Sequence, residues 1–254
     1  LRKGDLTQGG ITGTLLHFTL PMMVGSFLQQ CYNIANTLIV GQCIGAGALA
    51  AVGSAYTLMV FLISVLLGLA MGSGTVFSLH YGAGNHVALR RSIFSSFVLI
   101  GIVTLILNVA VFIWLDPILR LLQVPQDIYG MMRSYSWIIL CGIVFTFIYN
   151  FYASLLRAVG DSVTPLWFLA VSVVLNIALD LFFTLQLDWG IQGAAAATVL
   201  AQGVAALGII IYTYRRRPEL RWHHEDMCFD RTCLKEIASF STLTCVQQSV
   251  MNLS

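Results

Sequence analysis

One carboxylate stands deep in an apolar stretch of this chain, Asp180 in Val174-Leu-Asn-Ile-Ala-Leu-Asp-Leu-Phe-Phe183. An ionisable side chain at mid-bilayer costs about 2.5–3.5 kcal/mol or more, so one that persists there reads first as functional. Asn176 precedes it by four residues and shares its face if the segment is helical. A carboxylate with an amide oxygen beside it suits a cation or a proton. The structural alternative is a polar pair that knits two helices together. Other polar residues repeat at helical spacing. Gln29, Asn33, Asn36 and Thr37 form one stripe, Thr198 and Gln202 are four apart, and Tyr149, Asn150 and Tyr152 cluster further along. Each stripe alone reads as helix–helix contact before it reads as a binding surface. Together they suggest a bundle with a wet interior and candidate cavity residues Gln29, Asn33, Tyr149, Asn150 and Gln202.

Other chemistry finds little support. The five histidines (His17, His80, His86, His223, His224) fall near or beyond the ends of the apolar runs, none close to Asp180. Serine and threonine are plentiful but have no base beside them, so an enzyme is not expected. His223, His224, Cys228 and Cys233 share one polar loop at a spacing that fits no standard zinc site. The six cysteines are scattered without a C-x-x-C, which argues against a disulfide framework. Gly45-x-Gly47 and Gly72-x-Gly74 have neither strand nor basic residue to make a phosphate loop.

The elements that must carry these residues are membrane helices. Of 254 residues, 58% are apolar and 9% charged, against about 25% charged in a soluble domain. From Leu6 to Leu89 there is no Asp, Glu, Lys or Arg, and a crossing needs only about 20 apolar residues. Further uncharged runs are Ser92–Leu115, Ser134–Leu156, Ser162–Leu179, Trp189–Tyr214 and Ile237–Ser254. Backbone groups cannot go unpaired in lipid, so such runs predict helices. The expected spans are about 11–40, 46–80, 90–115, 127–157, 163–187 and 189–214, with a seventh from 234. Tyr81–Asn85, Asp116-Pro117, Val159-Gly160-Asp161, Asp188-Trp-Gly190 and Arg217-Pro218 supply the breaks. Pro21, inside the first helix, predicts a kink. Gly68-x-x-x-Gly72 and Gly193-Ala-Ala-Ala-Ala197 predict close helix packing.

Arg2, Lys3, Arg90, Arg91, Arg157, Arg215, Arg216, Arg217, Arg221, Arg231 and Lys235 fall on the side of the N-terminus; Arg120 and Arg133 fall on the other. Positive charge marks the cytoplasmic side, so a cytoplasmic N-terminus in the plasma membrane is expected. The uncharged final run, together with a faint echo of Phe27-Leu-Gln-Gln30 in Cys245-Val-Gln-Gln248, suggests one half of a longer chain plus the opening of the next. The fold class is thus an all-α polytopic membrane protein. Its divisions are a tail over 1–10, a six-helix lobe over 11–215, a linker over 216–233, and the start of a seventh helix over 234–254.

Several stretches resemble the multidrug and toxic compound extrusion (MATE) family. They are Tyr32-Asn-Ile-Ala-Asn-Thr-Leu-Ile-Val-Gly41, Ala48-Leu-Ala-Ala-Val-Gly53, Leu156-Arg-Ala-Val-Gly-Asp-Ser-Val-Thr-Pro165, Leu175-Asn-Ile-Ala-Leu-Asp180 and Gly190-Ile-Gln-Gly-Ala-Ala-Ala-Ala-Thr198. The resemblance implies twelve helices in two six-helix lobes and an antiporter that exports lipophilic or cationic compounds against protons or sodium. By position it implies a cation site at Asp180, Asn176, Asn36 and Thr198. Many members carry Asp where this chain has Asn36, which leaves one carboxylate instead of two. No cofactor is expected beyond the coupling ion, H+ or Na+. Expected partners are small-molecule substrates, membrane lipid and the chain's own C-terminal lobe, and no nucleic acid. A flippase for lipid-linked oligosaccharides is the alternative within the superfamily, although basic residues for a pyrophosphate are missing from the spans. A channel-like scaffold is a further alternative.

The charge split makes a topological prediction. On a cysteine-free background, Asn85→Cys and Arg217→Cys should resist an impermeant thiol reagent in intact cells, whereas Gly45→Cys and Asp188→Cys should react. Strong labelling at 85 or 217 without permeabilisation inverts or breaks the map.

Overall fold

The computed structural model describes residues 11–121, 124–221, 235–242, 244 and 247. Helix α1 (Ile11–Ile39) continues as a π-helical turn, Val40–Ile44. It is followed by α2 (Ala46–Gly82), α3 (His86–Leu121) and α4 (Gln126–Ala158). Helix α5 (Val163–Leu181) also widens into a π turn, Phe182–Gln186, before α6 (Gly190–Arg216) and a single 3-10 turn, Pro218–Leu220. Residues 235–242 are helical again, here α7. Among the described residues the charge-free runs therefore fold as helices; most of the final run, 243–254, lies outside them. Asp116-Pro117, expected to close the third helix, does not: α3 runs through Pro117 to Leu121. There the Asp116 carboxylate accepts hydrogen bonds from Arg133 Nε (2.8 Å) and Tyr129 Oη (2.8 Å), and is held against α4 instead of terminating its own helix. Pro21 likewise lies within a continuous α1.

Among the described residues, five helices, α2 to α6, are long and apolar enough to cross a membrane. Helix α1 is 29 residues long and carries no Asp, Glu, Lys or Arg. At 36 residues, α3 extends to about 54 Å, well beyond a hydrocarbon core of about 30 Å. Its long apolar face is open, with Leu105, Ile106, Val109, Ile113 and Trp114 all at least half exposed, which suits contact with lipid.

Helix α4 is the centre of the lobe. It packs against α6, α2 and α3; α6 packs on α5, and α5 on α1. Helix α1 is thus an outer member, resting along α5 and touching α2 and α6 through its π turn. Two apolar clusters fill the bundle. Near the end that carries Arg157, Phe97 meets Phe147, Phe151 and Tyr152 with ring centroids 5.2–6.5 Å apart. Near the other end the filling is small: Ala48, Ala51, Ala55, Ala194 and Ala195 pack with Val40, Leu115 and Met132.

Small residues set the closest approaches. A methyl group at Gly142 would lie 2.4 Å from Val199, and one at Gly208 2.6 Å from Phe168. Gly74 faces Ser154, whose Oγ donates across the interface to Ala70 O at 2.8 Å. The tightest contact to backbone joins α2 to α7: a methyl at Gly72 would lie 2.4 Å from Ser241 Cα. Around it Ile237 and Ser241 are fully buried, Val76 packs on Ile237, and His80 Nε2 is 3.9 Å from Glu236.

Between α4 and α5 the chain reverses through Gly160 at φ 87°, a left-handed position that follows a helix end and suits glycine. Asp161 then organises the next helix. Its Oδ1 accepts from the Thr164 N–H (3.0 Å) and its Oδ2 from Thr164 Oγ1 (2.8 Å), satisfying a donor that a helix start leaves open. Arg217, at the end of α6, sits 3.6 Å from the same carboxylate and 3.5 Å from Glu219.

The α2–α7 contact has a measurable consequence. In the full-length protein Gly72→Ala must push Ser241 away and should cost about 1–3 kcal/mol, read as a lowered melting temperature in detergent. Gly53→Ala is the control, since nothing lies within 4 Å of that position, and it should leave the melting temperature unchanged or slightly raised. Equal behaviour of the two variants would mean that α7 does not pack on α2.

Candidate functional site

Helices α1, α5 and α6 meet around Asp180. The carboxylate is fully buried and Asn176, one turn earlier on α5, is 1% exposed. Oriented so that both ends of its amide meet complementary groups, Asn176 donates from Nδ2 to Asp180 Oδ2 at 3.0 Å. Its Oδ1 accepts from Thr198 Oγ1 (3.2 Å) and from the Thr198 N–H (3.1 Å) on α6. Tyr32 Oη of α1 lies 3.4 Å from Thr198 Oγ1. When the Thr198 proton points at Asn176, Tyr32 is left to donate to Thr198, and three helices contribute to one donor chain that ends on the carboxylate. The other acceptor for that proton is Ala194 O, 3.1 Å away. Hydrogen bonds linked head to tail in this way polarise one another. Tyr135 of α4 is buried and, with Tyr32, lies within electrostatic reach of Asp180.

The chain of donors satisfies only one side of the carboxylate. Asp180 Oδ1 is buried without a partner, as is Asn36 Oδ1 on α1. Asn36 lies one turn beyond Tyr32 and on its face of α1. A buried acceptor with no donor is costly, and the arrangement can accept either a proton or a cation at Oδ1. Among the described residues no three His, Cys, Asp or Glu side chains come together, so the oxygens here are one carboxylate and otherwise neutral groups. His223, His224, Cys228 and Cys233 lie outside the described residues.

The other candidate polar residues are placed elsewhere. Gln202 of α6 is hydrogen-bonded by Thr146 of α4, and Asn150 Nδ2 donates to Thr146 O at 2.8 Å. Tyr149 Oη donates to Pro165 O at 3.0 Å, tying α4 to the start of α5. Gln29 is exposed on α1 and Asn33 half-buried, its amide donating to Gln30 Oε1 at 3.2 Å. Two groups around Asp180 had no role in the sequence reading. Tyr32 sits four residues before Asn36, a spacing that places both on one face. Tyr135 carries no local signal, because only the packing of α4 brings it there.

Comparison with known proteins follows the same outline. The MatE family model matches residues 21–182. The chain is 35% identical over 217 residues to "Probable multidrug resistance protein YpnP" of Bacillus subtilis (strain 168), covering 85% of this chain and 49% of that protein. It is 29% identical over 238 residues to "Multidrug export protein MepA" of Staphylococcus haemolyticus, covering 91% of this chain and 51% of that protein. Among solved structures, MATE in complex with MaD3S superposes with a TM-score of 0.92 at 24% identity, over 100% of this chain and 57% of that one. An outward-facing multidrug resistance MATE transporter of the MOP superfamily gives the same TM-score and identity, over 56% of its length. The chain spans about half the length of the curated relatives it matches. A six-helix lobe with a buried carboxylate at the junction of α1, α5 and α6, matched by the family model over most of its length, belongs to the MatE family.

Proposed function

We propose that this chain forms the N-terminal lobe of a secondary active antiporter that exports lipophilic or cationic compounds in exchange for protons or sodium ions. The lobe spans 11–215, a linker over 216–233 follows, and the segment from 234 opens the second lobe. The observation that carries the reading is Asp180, fully buried, hydrogen-bonded on one oxygen and unpartnered on the other. The family match and the relatives named for multidrug resistance and multidrug export support the reading as a drug-efflux transporter.

The physics of coupling follows from that carboxylate. Water and lipid leave no third way to keep it: an occupied Asp180 is neutralised, and an unoccupied one retains an unpaired charge among packed helices. Occupancy therefore changes how well α1, α5 and α6 fit together. A bound drug and a bound cation drive exchange if each favours a different arrangement of the lobes, and each shifts the equilibrium only by its differential affinity. Tyr32, Thr198 and Asn176 hold the carboxylate in place. Asn36, by its placement on α1, gives that helix an oxygen of its own to contribute. Export requires the cavity between two lobes, a common place for the binding site in secondary transporters, so residues 1–254 alone are not expected to confer resistance. The proposed setting is the plasma membrane, with the end carrying Arg157 and Arg217 in the cytoplasm.

The test is Asp180→Asn in the full-length protein. Ion-gradient-driven efflux of ethidium should fall to the level of cells without the transporter, with expression unchanged. If Asp180 only joins helices, asparagine keeps its hydrogen bonds and most of the activity. Undiminished, still gradient-dependent efflux removes Asp180 from the mechanism.

A further inference from the structure

Several arginines at the end of the lobe that carries Arg157 share one depth, and tryptophans at the opposite end fix it. Trp114 of α3 and Trp137 of α4 are both exposed, and the Trp137 ring packs on Phe112 with centroids 4.0 Å apart. Exposed tryptophans gather at membrane–water interfaces. A hydrocarbon core of about 30 Å takes about 20 helical residues. Counted from the two tryptophans, the other boundary falls near Phe94 on α3 and at Arg157 on α4. Arg90 and Arg91 then stand about one turn past it, at the level of lipid headgroups. Toward the middle of the membrane α3 continues as an open apolar wall, with Ile102, Leu105, Ile106 and Val109 at least half exposed.

Three helices close on a crevice at that depth. Ile93 of α3, Tyr152 of α4 and Tyr214 of α6 line it, together with Leu220 and Arg221 from the segment after α6. Arg90 precedes Ile93 by three residues and shares its face of α3, one turn nearer the headgroups. Arg221 is exposed but tethered: its Nε donates to Tyr214 O at 2.7 Å, and its Nη2 donates to the same oxygen. That fixes the guanidinium at the mouth of the crevice with further N–H donors to offer. Arg215 and Arg216, both exposed, end α6 directly after Tyr214. On α3, Arg91 Nε is buried without a partner, an unused donor at the same depth.

The nearby carboxylates are already engaged. Arg217 sits 3.6 Å from Asp161 and 3.5 Å from Glu219, and His80 Nε2 lies 3.9 Å from Glu236. Among the described residues this leaves a surplus of positive charge at headgroup depth, beside an apolar wall. We propose that the mouth of this crevice binds the headgroup of an anionic phospholipid, with Arg90 and Arg221 on its phosphate and its acyl chains against α3. Basic pockets between membrane helices suit such headgroups, and a guanidinium fork matches two phosphate oxygens at once. A soluble anion would meet the same arginines but leave the apolar wall unused. The site shares no residue with the Asp180 site and does not depend on the transport reading.

The test places the full-length transporter in phosphatidylcholine nanodiscs and titrates in phosphatidylglycerol. Native mass spectrometry counts the lipid retained, and the melting temperature is followed in parallel. The wild-type protein should retain phosphatidylglycerol over phosphatidylcholine and melt at a higher temperature as its fraction rises. Arg90→Gln combined with Arg221→Gln should weaken that binding about tenfold or more, since each arginine near a membrane surface contributes severalfold. Removing the same charge from the tail, by Arg2→Gln with Lys3→Gln, should leave it within about twofold, because charge away from the site is screened. If the double variant is not recovered folded, Arg90→Gln alone is held to a loss of about threefold or more. A wild-type protein with no preference for phosphatidylglycerol overturns the proposal without any variant, as does unchanged binding in the arginine variants. An equal loss in the tail variant replaces the site by general surface charge and overturns it too. An equal rise in melting temperature from inorganic phosphate, in phosphatidylcholine alone, overturns the lipid as the ligand.

Discussion

A polar group that enters a membrane helix must find its partner within the protein, and the lobe is organised around that requirement. The Asp180 carboxylate sets the hardest case. Its partners arrive from three helices, Asn176 from its own, Thr198 from α6 and Tyr32 from α1. No two of these helices alone could assemble the chain. That gives α1, otherwise an outer helix resting on α5, a polar reason to lie where it does. The same rule disposes of polar residues far from the site: Thr146 with Gln202, Tyr149 with Pro165 O, and Ser154 with Ala70 O each join two helices.

Packing and polarity divide the lobe between them. Toward the end that carries Arg157, large aromatic rings interlock around Phe97 and Phe151, a dense filling with few rearrangements open to it. Toward the other end the filling is mostly alanine, it includes Val40 of the first π turn, and the second π turn follows Asp180 by two residues. Small side chains permit sliding at lower cost than interlocked rings do. The buried carboxylate thus stands at the side of the bundle whose packing is easier to alter.

The long spans were legible because charge is excluded from them, and Asp180 with Asn176 because four residues make one helical turn. Thr198 could be paired with them only through resemblance, since nothing in a single sequence says which face of α6 meets α5. Tyr32 lay in plain view four residues before Asn36 and was passed over as part of a motif. Tyr135 was not legible at all, because its place depends on how α4 is packed. Pro117 misled for a different reason: a proline commonly ends a helix, but here its neighbour Asp116 is bound to Arg133 and Tyr129 of α4, and the helix goes on. The Arg157–Pro165 motif, which carried much of the resemblance, serves as a turn and a helix start through Asp161 and Thr164.

The contact between Gly72 and Ser241 places the boundary of the lobe in space differently from its boundary along the chain. Helix α7 follows the linker, yet Ile237 and Ser241 are buried against α2, with backbone meeting backbone. A chain inserted into the membrane in order of synthesis completes α1 to α6 before α7 emerges. Until then the groove at Gly72 and Val76 has lipid for a neighbour, and the arrival of α7 closes it. The seventh helix is therefore a late step in maturing the six helices that precede it.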